Sequence, residues 1–153
     1  MDIIVRKAMN GDEKQLLELI DVVLASYGLK LNTKIEDLDV TDLEKYYLNN
    51  NGDFEVIIHN NRIIGSYGIY KIDKYTCELR KMYLYEEYQG FGLGNKMLEN
   101  SLAMAKKLGY KKVTLQTNSL LNKALKLYEK FGFKISVEDV CERCDLAMSK
   151  NIV

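Results

Sequence analysis

The segment Gln89-Gly90-Phe91-Gly92-Leu93-Gly94-Asn95-Lys96 carries the densest chemical signal in the chain. It lies between a strand-like run and a helix-like run. Glycines there let the backbone curl tightly and present successive N–H groups. The helix that follows adds its unpaired first-turn N–H groups and the positive end of its dipole. That combination holds phosphate without any net positive charge. A Walker loop is excluded, because its Gly-Lys-Ser/Thr ending is missing. A Rossmann turn needs G-x-G-x-x-G at the first strand–helix junction. Here the spacing is G-x-G-x-G, mid-chain, after three antiparallel-looking strands. Two readings stay open on the loop alone: a pyrophosphate loop for coenzyme A, or a helix start that happens to be rich in glycine.

The other reactive side chains are few. Cys141 and Cys144 form a CxxC, but a structural zinc needs two further soft ligands and only Cys77 and the single His59 remain. The expectation is therefore no metal and free thiols in or beside a terminal strand. Three cysteines are too few and of the wrong parity for a disulfide framework. No apolar run approaches the roughly 20 residues that span a bilayer. The opening Met1-Asp2-Ile3-Ile4-Val5-Arg6 reads as a strand and lacks the features of a secretory signal. A cytoplasmic protein with no membrane partner is expected. Lys plus Arg and Asp plus Glu both total 22, so no broad attraction to nucleic acid is expected either.

The elements that must position the loop follow from hydrophobic spacing. At 153 residues, 47% hydrophobic and 29% charged, the chain has the makings of one globular domain over residues 1–153. Ile3 to Lys7 reads as a strand, and Asp12 as the N-cap of a helix through Leu16, Leu17, Ile20, Val23, Leu24 and Tyr27 that ends at Gly28. Thr41-Asp42-Leu43-Glu44 resembles a capping box for a short helix. Phe54 to His59 and Ile63 to Tyr70 make a hairpin, and Thr76 to Leu84 a further strand. Met97, Leu98, Ser101, Leu102, Ala105 and Leu108 give a helical face, Val113 to Thr117 a strand, and Leu120 to Phe131 another helical face. Phe133 to Val137 and Cys144 to Met148 read as the last two strands. The order predicts a mixed α/β sheet of about seven strands with about four helices on both faces.

Three stretches together resemble the GNAT superfamily of N-acetyltransferases: Glu78-Leu79-Arg80-Lys81-Met82-Tyr83-Leu84, the glycine loop, and Asn122 through Tyr128 to Gly132-Phe133. Gln89, Gly92 and Gly94 fit the family's Q/R-x-x-G-x-G/A pattern. The resemblance implies a sheet splayed between its fourth and fifth strands, with acetyl-CoA lying in the gap as co-substrate. It implies backbone contacts to the pantetheine arm from Met82, Tyr83 and Leu84, and phosphate contacts from Gln89, Gly90, Phe91, Gly92, Leu93, Gly94 and Asn95. It makes Asn122 a coenzyme contact, Tyr128 the general acid facing the sulfur, and Glu78 a carboxylate base. Direct attack by the amine needs no metal and no protein nucleophile.

Strand alternation puts Glu78, Arg80, Met82 and Leu84 on one face, so Arg80 is a candidate ion-pair partner that weakens Glu78 as a base. Gln89 stands where the family more often has arginine. Glu86 and Glu87 would repel phosphates if they faced the loop, and Lys96 would offset them.

By the same resemblance, residues 29–53 form the acceptor wall. They hold Glu36, Asp37, Asp39, Asp42 and Glu44 with Tyr46 and Tyr47. Such a wall suits a cationic amine. Acidic residues near a helix start also serve its dipole and water. The acceptor is a small-molecule or protein amine. A catalytically silent acyl-CoA sensor on the same scaffold is the alternative, and a homodimer would cover the edge strands at the C-terminus.

Overall fold

The computed structural model describes residues Met1–Val153. Seven strands form one sheet in the order β1-β2-β3-β4-β5-β7-β6. They are β1 (Ile4–Lys7), β2 (Asp53–His59), β3 (Arg62–Lys71), β4 (Thr76–Leu84), β5 (Lys112–Thr117), β6 (Lys134–Ser136) and β7 (Leu146–Asn151). Three α-helices, α1 (Glu13–Ser26), α2 (Leu93–Lys107) and α3 (Asn122–Lys130), are joined by a π-helical turn at Glu44–Leu48. The mixed sheet with four helical elements matches the expected fold class.

The β2–β3 hairpin turns on Asn60 and Asn61, both with positive φ (51° and 61°). Asparagine tolerates that conformation, which a two-residue hairpin of the favoured hand requires. Residues 63–69 of β3 are all buried. An unbroken buried run means that both faces of the strand are covered. Helices α1 and α2 both lie against β3 and β4. One link is direct, from Asn100 of α2 to the Tyr67 hydroxyl at 3.0 Å.

Strand β4 pairs with β5 in parallel only at Thr76–Lys112, Cys77–Val113 and Glu78–Thr114. Beyond that point the two strands part. On its other side β4 stays with β3, but the register slips. Ser66 faces Tyr83 and Gly68 faces Arg80, so Lys81 and Met82 together oppose Tyr67. This is a β-bulge, with Lys81 at φ 56°.

The bulge corrects one expectation. Strict alternation fails at Lys81, and the side chains of the consecutive residues Arg80 and Lys81 both reach Asp39. Glu78, Arg80 and Lys81 are thereby linked on one side.

Two caps also differ from the sequence reading. Asp12 sits at the N-cap of α1, but its carboxylate takes two hydrogen bonds from Arg6 and one from the Met9 N–H rather than capping the helix. The capping box at Thr41 does not form. Thr41 donates its hydroxyl to Leu38 O, and Asp42 Oδ1 accepts from Lys45 N instead. In both cases a nearby partner outcompetes the helix end for the side chain.

Candidate active site

The parting of β4 and β5 opens two adjoining cavities that share Met82, Tyr83 and Leu121. The first, of 410 Å³, runs from β4 to the glycine loop. Its lining includes Met82, Tyr83, Leu84, Gln89, Gly90, Gly92, Gly94 and Asn95, as the sequence reading expects. Phe91, Leu93 and Asn122 lie outside that lining. Phe91 is exposed, and Asn122 is exposed at the first position of α3.

The loop is built by Gly90 and Gly92, whose φ values are 87° and 82°. Gly92 is the N-cap of α2 and makes no side-chain cap bond. The amides of residues 90–95 donate to no side chain and to no loop carbonyl. They are therefore available to an anion, with the helix dipole behind them.

The Gln89 side chain is engaged by two other residues of the cavity lining. Its Nε2 donates to Leu84 O at 3.2 Å, and its Oε1 takes a 3.5 Å contact from Lys123. Lys123 is the one charged residue lining the cavity. Lys96, the expected counterweight to Glu86 and Glu87, is exposed and does not line it.

The second cavity, of 290 Å³, lies deeper between β4, β5 and residues 141–144. Glu78, Arg80 and Tyr128 all border it. Tyr128 is buried, and its ring meets Phe133 edge-on at 5.8 Å between centroids. Its hydroxyl makes no hydrogen bond within the protein yet is not sealed from the cavity. Burial pushes its pKa well above the ordinary value of 10. The phenol keeps its proton through the whole physiological range.

Glu78 pairs with Arg80, as anticipated, through Oε1 and the guanidinium Nε. Gln116 Nε2 lies 3.4 Å from the other oxygen. Arg80 in turn stacks over the Tyr70 ring at 3.7 Å.

The acidic wall is not a free negative surface. Asp37 is fully buried and accepts from Arg143 at 2.6 and 2.9 Å, from Lys81 at 2.9 Å and from Asn32 N at 2.8 Å. Burial alone would raise its pKa, but the Arg143 hydrogen bonds and the Lys81 charge outweigh it and hold Asp37 at about 2. Asp39 is likewise buried among Tyr47, Lys81 and Arg80. From residues 29–53, only Leu29, Ile35 and Glu36 line the cavity.

With the cleft described, comparison with known proteins is decisive. Residues 18–133 match the model of the Acetyltransferase (GNAT) family. The chain belongs to the GNAT family of N-acetyltransferases. It is 27% identical over 136 residues to an Escherichia coli protein, the uncharacterized N-acetyltransferase YjgM, covering 86% of this chain and 81% of that one. Its fold matches a GNAT acetyltransferase from Staphylococcus aureus with a TM-score of 0.92 at 20% identity, over 99% of this chain and 100% of the other. It also matches the Salmonella typhimurium protein yncA, solved with its cofactor acetyl-CoA, with a TM-score of 0.75 at 17% identity, over 100% and 95% of the two chains.

Within this GNAT frame, several cleft residues had no local signal. Arg143 reaches Asp37 across 106 positions, and Lys81 reaches it across 44. Gln116, Asn118, Cys141 and Cys144 also border the deeper cavity. Only the CxxC spacing marked any of these in advance. Lys123 was visible only as the residue next to Asn122.

Proposed function

We propose that this chain moves the acetyl group of acetyl-CoA to a primary amine by direct attack, with Tyr128 as general acid and Glu78 receiving the amine proton. One observation carries the reading. The break between β4 and β5 after Glu78–Thr114 leaves unpartnered loop amides at one end of the cleft and an unbonded phenol hydroxyl at the other.

The groups present fit the coenzyme. The amides of residues 90–95 suit a pyrophosphate, with Lys123 supplying charge at their side. The freed edge of β4 around Met82–Leu84 suits an extended amide-bearing arm, added much as a strand is added to a sheet edge. The coenzyme, when bound, supplies an activated acetyl thioester.

The remaining work falls to the chain's own residues. A protonated amine has no lone pair, so it must lose a proton before attack. In this reading Glu78 Oε2, which Arg80 leaves free and to which Gln116 donates at 3.4 Å, accepts that proton. Tyr128 Oη holds the proton that a departing thiolate needs, and burial ensures it is not lost to solvent. Apolar neighbours such as Leu29, Leu115 and Leu121 limit water in the cleft.

The test is a broad panel of amines, including small amines, amino acids, polyamines and peptides, read for coenzyme A release and acetylated product. Transfer to at least one amine, with the rate falling sharply for Tyr128→Phe, supports the enzyme reading. Tight coenzyme binding with transfer to none, and no change in Tyr128→Phe, supports a silent acyl-CoA-binding module instead.

A further inference from the structure

The CxxC lies in the wall of the cleft. Cys141 and Cys144 both border the deeper cavity, together with Tyr128 and Arg143. Their Sγ atoms are 2.8 Å apart, with the Cys141 thiol donating to Cys144. Cys144 N–H donates to Cys141 O at 2.9 Å, which makes the four residues a turn. The ends of such a turn lie within about 7 Å of each other, close to the span that a disulfide bridges.

The turn is also clamped from outside. Cys141 N donates to Gln116 Oε1 at 2.7 Å, Asn118 Nδ2 to Arg143 O at 3.1 Å, and Asp145 N to Thr117 O at 3.1 Å. Arg143, between the two cysteines, is fixed on Asp37. Closing a bond between the sulfurs would therefore order little additional chain, the condition under which intramolecular reaction is favoured. Cys77 provides the contrast. It is fully buried, its thiol sits 3.7 Å from Lys112 O, and burial pushes it up to about 12.

We propose that Cys141 and Cys144 form a modification site, a dithiol on the acceptor side of the cleft that a low-molecular-weight disulfide oxidises to an intramolecular disulfide. The reaction balances in two exchanges. Cys141 loses its proton to solvent and attacks one sulfur of the external disulfide. A mixed disulfide forms at Cys141, and the first external thiolate leaves and takes up a proton. Cys144 then attacks Cys141 Sγ, losing its own proton, and the second external thiol departs. Two protein thiols are oxidised and one external disulfide is reduced to two thiols. Burial pushes the Cys144 thiol up to about 12, which makes Cys141 the first attacker and Cys144 the resolving thiol.

This site goes beyond acetyl transfer and does not depend on it, because the readout is covalent. The full chain is incubated with glutathione disulfide in excess over glutathione, and its intact mass and peptide map are read while circular dichroism confirms the fold. The expected product has lost the mass of two hydrogens, links Cys141 to Cys144 and retains a free Cys77. Cys144→Ser should stop at a glutathione adduct on Cys141, and Cys141→Ser should keep its remaining thiols unmodified. Wild-type protein that keeps a stable glutathione adduct, retains all its thiols, or links Cys77 instead overturns the proposal.

Discussion

The Lys81 ammonium lies 2.9 Å from the Asp37 carboxylate, and both side chains are buried. Lys81 is also the residue with φ 56° at the bulge in β4, and its carbonyl accepts from Ser66 Oγ at 2.7 Å. A lysine in the left-handed region costs of the order of 1–2 kcal/mol, so it persists only where its surroundings fix it. Here the fixing groups are Asp37 and Ser66. The bulge lies on the stretch of β4 that has parted from β5. The ion pair thus ties the segment around Asp37 to the strand that borders the cleft.

Asp37 makes stability depend on acid in a defined window. Its folded-state pKa is about 2, below the ordinary 3.8. Between those values the unfolded chain binds the proton more readily than the folded one. The contribution of Asp37 is therefore complete above about pH 4 and is lost as pH falls toward 2. Urea unfolding across pH 2–5 should show stability falling with acid in wild type, and Asp37→Asn should flatten that fall.

Arg143→Ala should destabilise more than an ordinary surface change. It leaves a fully buried carboxylate with Lys81 as its remaining cation. Breaking a buried pair costs about 3–5 kcal/mol when the surviving charge has no other partner. With Lys81 still present, about 2 kcal/mol by chemical denaturation is expected. A change within ~0.5 kcal/mol, the range of surface substitutions, would show that the network contributes little.

Tyr128→Phe should lower kcat by about 10²-fold, the lower end for removal of a general acid. The ring still packs on Phe133, so thermal stability and acetyl-CoA affinity should be nearly unchanged. Because burial holds the Tyr128 pKa well above 10, wild-type activity should show no loss from this phenol between pH 8 and 10. A pH–rate profile on any amine that is turned over checks both statements.

Lys123→Ala should weaken acetyl-CoA binding about three- to tenfold and reduce its salt dependence, since Lys123 is the charge beside the loop amides. Lys96→Ala should leave affinity unchanged. The reverse ranking would restore the sequence-based assignment of Lys96.

Much of this architecture is legible in the sequence. The strand and helix faces follow from burial with a period, and the glycine loop from spacing that few structures need. The splay followed from the family resemblance. What stayed hidden was non-local. Nothing adjacent to Lys81 marks a left-handed lysine, so alternation separates Arg80 and Lys81, which in fact both reach Asp39. Asp37 and Asp39 looked like a solvated acidic patch because their cations lie 44 and 106 positions away for Asp37, and on β4 for Asp39. Gln89 fits the motif by position, and nothing in the motif shows that its side chain bonds Leu84 O and meets Lys123.

The central claim is that main-chain amides of residues 90–95 bind the diphosphate of coenzyme A. Titration calorimetry of acetyl-CoA and of coenzyme A into wild type and Gly92→Ala tests it most directly. No atom lies within 4 Å of an added Cβ at Gly92, so that variant changes the φ 82° backbone and little else. Saturable heat with wild type, and affinity at least about tenfold weaker in the variant, is the expected result. Folded wild-type protein that gives no heat with either ligand would contradict the account.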